Sequence, residues 1–300
     1  MPLQFILPLS AALVYVAAAL FLKRATESGA DVWRLTRICN FIAGIFFAPL
    51  WLLGGNLPSG LWWQPAGAAL LFMLGQILTM MALRIGDVSI TTPVLGLKVV
   101  LVAVLTSALL REQLAGGVWA AAFLSSVGIA LLHFSRPRDG SRVGTTILVA
   151  GLAAASYALF DVVVQKWAVA WGAGRFLPVM MGFVAVYSLA FRPARSEPQS
   201  AASPKAGAWT IAGAVCLALQ AILFVSSIAI YHHAAVANVL YSSRGLWSIL
   251  AVWAVGHWVG NYEARVSPGQ LGWRIAGASL LIIAILCAVW GKLPAPTMLR

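Results

Sequence analysis

Acid is scarce in this chain. Asp and Glu together number 8 in 300 residues, against 20 Lys and Arg, and charged residues make up 9% of the whole. An ordinary soluble domain is about 25% charged, so these side chains cannot furnish a water-facing surface for a fold of this length. Cysteine is scarce too. Cys39, Cys216 and Cys287 lie singly within apolar runs; an odd number without metal-ligand spacing argues against a disulfide framework or a Cys-based metal site. The four His (His133, His232, His233 and His257) fall near the ends of apolar runs. HExxH, GxSxG and GxxxxGK[ST] are all absent, as is any pair of Asp within one apolar run. Hydrolytic chemistry needs a nucleophile with a base, or a metal cluster. The expectation is therefore no enzyme, no cofactor and no metal.

What the chain does have is apolar length. It is 61% hydrophobic, with a mean hydropathy of +0.91. The first 25 residues lack the charged start and the small-residue cleavage site of a signal peptide, and read as a membrane helix that stays. A formal net charge of +12 could point to nucleic acid. Here, however, Lys and Arg stand singly or in threes at the ends of apolar runs, as loops at a membrane surface would hold them. The expected partners are the lipid bilayer and a small-molecule substrate, not nucleic acid; oligomeric state is open.

A membrane helix needs about 20 mostly apolar residues. That ruler gives ten candidates: Leu3–Lys23, Trp33–Leu53, Trp63–Leu83, Ser89–Leu110, Gly116–His133, Thr145–Gln165, Phe176–Phe191, Trp209–Tyr231, Ala235–His257 and Gln270–Trp290. The expected class is an all-α polytopic membrane protein, multi-pass in a bacterial inner membrane. Two polar segments, Ser135–Arg142 and Arg192–Gly207, interrupt the pattern. Counting Lys and Arg by side gives eleven against five, which under the positive-inside rule sets both termini outside the cytoplasm.

The two halves resemble each other. Lys23 falls on Lys166 at an offset of 143, Gln76 on Gln220 at 144, Lys98 on Arg244 at 146 and Glu112 on Glu263 at 151. Rare polar residues thus match in order, with an offset that only grows, as loop insertions would make it. The expected organisation is a first five-helix repeat over 1–133, a loop over 134–144, a second repeat over 145–290 and a tail over 291–300. Five is odd, so the repeats would be inverted, the architecture of many secondary transporters.

The run GDVSITTPVLGLKVVLVAVLTSALLREQL, followed by an apolar span containing Gly128, resembles the drug/metabolite transporter superfamily, EamA type. There the fourth helix of each half carries a proline early and a glutamate just after it, as Pro93 and Glu112 do here. The second half departs from the pattern, with Val239 in place of the proline and Glu263 late. The resemblance implies both termini in the cytoplasm, opposite to the loop count.

Lys98 and Arg244 lie near the centres of the fourth and ninth spans. A central base costs at least ~3 kcal/mol on insertion scales, so each should face a cavity or a counter-charge. Pro93 and Gly96 are expected to break the fourth helix beside Lys98. Asn238, Tyr241, Arg244 and Ser248 are spaced three, three and four, which puts them on one face of a continuous helix, with Trp247 alongside. Gln76 and Gln220 add neutral polar groups, and Tyr157 stands one turn before Asp161. Asp161 is a counter-ion for one of the bases, a proton carrier, or an interfacial carboxylate paired with Lys166 near the end of its helix. The substrate-binding candidates are Lys98, Arg244, Tyr241, Asn238, Ser248, Trp247, Gln76, Gln220 and Tyr157. Replacing Lys98 with Met should weaken an acidic substrate without lowering folded yield. The expected function is transport of a small polar metabolite, an amino acid or another organic acid, by alternating access, with import and export both open. A channel or structural membrane protein is the alternative, and an intramembrane enzyme a more distant one.

Overall fold

The computed structural model describes residues 2–86, 88–133, 142–190, 204–255 and 268–290. Among these there is no strand. Twelve α-helices make up ten apolar passes: α1 (Leu3–Glu27), α2 (Val32–Phe47, continued by a 3-10 turn over Ala48–Leu53), α3 (Trp63–Ile85), α4 (Val88–Gly96), α5 (Lys98–Leu110), α6 (Gly116–Leu132), α7 (Val143–Trp171), α8 (Ala173–Ser188), α9 (Pro204–Tyr231), α10 (Ala234–Tyr241), α11 (Arg244–Val255) and α12 (Pro268–Trp290). Seven of these passes are long and apolar enough to cross a membrane, α4 and α5 counting as one; α6 and α8 are shorter apolar helices. The chain is a multi-pass membrane protein. The polar loops that carried the orientation argument, and Glu263, lie outside the described residues, wholly or in large part.

The passes pair across the two halves of the chain. α1 runs along α9, α3 along α7, α2 against α8 and α9, and α6 along α12, while α5 touches α10. Lipid is as apolar as leucine, so helix association in a membrane relies on close packing rather than burial from water, and small residues let backbones approach. The α6–α12 crossing shows this directly. A Cβ at Gly128 would stand 3.0 Å from the Gly277 carbonyl oxygen, and one at Gly277 would stand 2.7 Å from that of Gly128. Each glycine leaves the room that the other's backbone fills.

Two passes are broken. The fourth interrupts at Leu97, between α4 and α5, and the ninth at Ser242 and Ser243, between α10 and α11. Pro93 lies inside α4 and removes one backbone donor there. At the first break Ser126 Oγ of α6 donates to the Gly96 carbonyl at 3.0 Å, which satisfies an acceptor that the interruption would otherwise leave bare. The second break forms without proline. Ser242 Oγ turns back onto the Val239 carbonyl at 2.6 Å and lies 3.4 Å from Ser125 Oγ of α6. Both bases open the helix that follows their break: Lys98 is the first residue of α5 and Arg244 the first of α11.

The sixth pass corrects one expectation. α7 does not end near Gln165. It continues through the apolar and aromatic run to Trp171, where Gly172 (φ 74°) stops it. Asp161 therefore lies well inside a helix and is fully buried, whereas Lys166 is exposed. The proposed Asp161–Lys166 pair does not form.

Candidate functional site

A cavity of about 390 Å³ lies among the helices, and its wall gathers side chains from both halves of the chain. Small-molecule sites commonly measure about 300–1,000 Å³. Lys98, Arg244, Tyr241, Asn238, Gln76, Gln220, Tyr157 and Asp161 are all on the wall, with Gly96 of the first break. Ser248 and Trp247 are not on it. The break at Ser242 and Ser243 ends the continuous helix that their spacing assumed, so α11 does not carry on the face begun by Asn238 and Tyr241. Ser248 Oγ donates to its own helix, to the Arg244 carbonyl at 2.7 Å, and Trp247 is 37% exposed.

The two bases meet different surroundings. Lys98 Nζ lies 2.7 Å from Asp161 Oδ2, and the same oxygen accepts a hydrogen bond of 2.6 Å from Asn238 Nδ2. The ring centroids of Phe224 and Tyr157 stand 5.3 Å and 5.6 Å from the ammonium, close enough for the ring faces to attract a cation. One carboxylate thus ties the start of α5 to α7 and α10. Its second oxygen, Oδ1, is buried without a hydrogen-bond partner.

Arg244 has no carboxylate partner among the described residues, where the ion pairs are Lys98–Asp161 and Arg24–Glu27. Two rings stand in for one. The guanidinium carbon lies 4.8 Å from the Tyr15 centroid and 4.8 Å from that of Tyr241, with Nη1 3.4 Å from the Tyr241 hydroxyl. The rings themselves meet edge to face at 6.0 Å. Stacking occupies the faces of a guanidinium, and its N–H groups point outward from the edge, where a carboxylate or phosphate can take two at once.

The cavity also has a neutral polar part. Asn40 and Gln76 exchange amide hydrogen bonds at 3.1 Å and 3.2 Å, and Asn40 Nδ2 lies 3.7 Å from Met73 Sδ. Asn40, Tyr15 and Phe224 were not singled out from sequence. Asn40 had a signal, as a lone amide in an apolar run. Tyr15 and Phe224 had none, because single aromatics in membrane helices are ordinary.

Glu112 lies away from the cavity and joins helices instead. Its Oε2 accepts from Gln165 Nε2 at 2.9 Å, while Gln165 Oε1 accepts from the Ala234 backbone N–H at 2.8 Å. One glutamine thus links the end of α5 to the first amide of α10.

Residues 3–134 match the EamA-like transporter family. That family belongs to the drug/metabolite transporter superfamily, and the matched stretch covers the first five passes of this chain. The EamA-like stretch holds Tyr15, Asn40, Gln76 and Lys98, whereas Asp161, Asn238, Tyr241 and Arg244 lie beyond it. A solved structure described only as "Crystal structure of protein" is similar over 96% of this chain and 98% of that chain, with a TM-score of 0.67 and 19% identity. At that identity it shows the fold alone. No curated protein matches the chain.

Proposed function

We propose that this EamA-like protein is a secondary transporter that carries a small organic acid, amino acids included, across a bacterial inner membrane by alternating access. The observation that carries the reading is Arg244, a cation on the cavity wall held by two tyrosine rings and without a carboxylate partner among the described residues. With Lys98 and Asp161 paired, the charges on the wall sum to +1. Lipid does not tolerate a lone buried charge, so water or an anion must compensate it.

The carrier reading rests on two inverted repeats, 1–133 and 145–290. Three observations support them. The principal pairings of the passes are unchanged when the halves are exchanged: the first pairs with the eighth and the sixth with the third, while the second and seventh, fourth and ninth, and fifth and tenth pair with each other. Lys98 and Arg244 each open a helix just after a break. Gly128 and Gly277 meet at an offset of 149, inside the range of 143 to 151 that the polar matches span. Broken helices beside a site between repeats are the usual architecture of carriers.

The test is counterflow in proteoliposomes loaded with unlabelled mono- and dicarboxylates. A carrier accumulates labelled acid transiently against its gradient, and Arg244→Gln should reduce this at least about tenfold, the loss of one charge-assisted hydrogen bond. Flux without saturation or counterflow would make the protein a channel. Counterflow untouched by the substitution would remove Arg244 from the site.

A further inference from the structure

The charge on the cavity wall decides more than the sign of the ligand. Arg244 and Lys98 are positive and Asp161 is negative, so the empty site carries +1. A monoanion on Arg244 brings it to zero. A dianion leaves −1 in a low-dielectric space, where an uncompensated charge costs several kcal/mol. The cavity can correct this in one way with the groups it has: Asp161 takes up a proton.

The geometry suits that step. Asp161 is completely buried, whereas the Lys98 side chain in front of it is 19% exposed. Asp161 Oδ2 is committed to Lys98 and Asn238, while Oδ1 has no partner. The other titratable or charged groups on the wall are Arg244 from α11, Tyr157 from α7 itself, Tyr15 from α1, Tyr241 from α10 and Cys39 from α2. Among the described residues, α3, α4, α8 and α9, which also pack against α7, place no acid or base on the wall. Lys98 is therefore the cation that answers Asp161.

Resting on the anion reading above, we propose that the site binds a dianion, a dicarboxylate or a phosphate monoester, together with one proton on Asp161 Oδ1. One acidic group of the ligand sits on Arg244. The other draws the Lys98 ammonium away from Asp161 while the Tyr157 and Phe224 rings continue to face it. The carboxylate so released takes up at Oδ1 a proton that the buffer acid in the bulk solution gives up, leaving the buffer base behind. One O–H bond forms, Lys98 keeps its three protons and the filled site is neutral. Lys98 leaving and the proton arriving are one exchange, because Asp161 is covered while Lys98 is in place. Each dianion then crosses with one proton.

Calorimetric titration of the purified protein at pH 7 in two cationic buffers of different ionisation enthalpy reads the protons taken up on binding. The probes are succinate and glutarate as dianions, with butyrate and benzoate as monoanions. Linkage predicts uptake of about one proton with each dianion and roughly none with a monoanion. In Asp161→Asn the dianions should bind with no uptake. Should that variant fold poorly, Lys98→Met/Asp161→Asn removes both charges, and there dianions should bind no more tightly than monoanions. Dianion binding without proton uptake, uptake that persists in Asp161→Asn, or binding of monoanions alone overturns the coupling and leaves the anion site standing. Failure of every probe to bind, or binding indifferent to Arg244→Gln, overturns the anion reading and the coupling with it.

Discussion

Lys98 and Asp161 form a 2.7 Å ion pair that joins the first half of the chain to the second, with Asp161 completely buried. The pair changes what removal of either partner should do. Lys98→Met strands a buried carboxylate, a change that costs about 3–5 kcal/mol in comparable sites. Folded yield should therefore fall, contrary to the expectation formed when Lys98 was read as an unpaired base. Lys98→Met/Asp161→Asn should recover most of the loss. Thermal melts of the detergent-solubilised single and double variants check this, and purely additive losses would mean that the two groups do not interact.

Tyr15 contributes a ring face to Arg244 from α1. Tyr15→Leu should weaken binding of the acid identified by counterflow by about 1 kcal/mol, roughly fivefold. Tyr241→Phe keeps its ring and loses only a long 3.4 Å contact, so its effect should stay within about 0.5 kcal/mol. Titration of the two variants separates them. Equal losses would assign the role to the hydroxyl rather than to the rings.

The Gly128–Gly277 crossing leaves no space for a side chain. Gly277→Leu should destabilise the protein by about 1–3 kcal/mol through forced separation of α6 and α12. Gly272, by contrast, has open space around an added Cβ, so Gly272→Ala should leave the melting temperature nearly unchanged. A melt that moves equally for both would place the weak point elsewhere.

The passes were legible because length and apolarity alone define them; helix ends fall within a few residues of the expected spans, apart from the C-terminus of α7. The break near Pro93 and Gly96 was legible because proline announces it. The second break was not, since it falls at Ser242 and Ser243, where Ser242 Oγ donates back to the Val239 carbonyl and no composition signals an interruption. That hidden break is why Ser248 and Trp247 fell off the wall while Asn238 and Tyr241 stayed on it. The position of Asp161 was misread for a similar reason: a helix end was inferred at Lys166, where a long side chain reaches outward from a helix that simply continues. The rings around Arg244 become visible only once α1 is packed against α9, α10 and α11.

Ser125 and Ser126 are consecutive residues of α6, and each attends to a different interruption: Ser126 to Gly96, Ser125 to Ser242. Neighbouring positions on a helix point roughly 100° apart, so α6 stands as a wedge between the two broken passes. Lys98 and Arg244, each two residues beyond these contacts, are therefore both steadied by one helix that itself places no charge on the cavity wall.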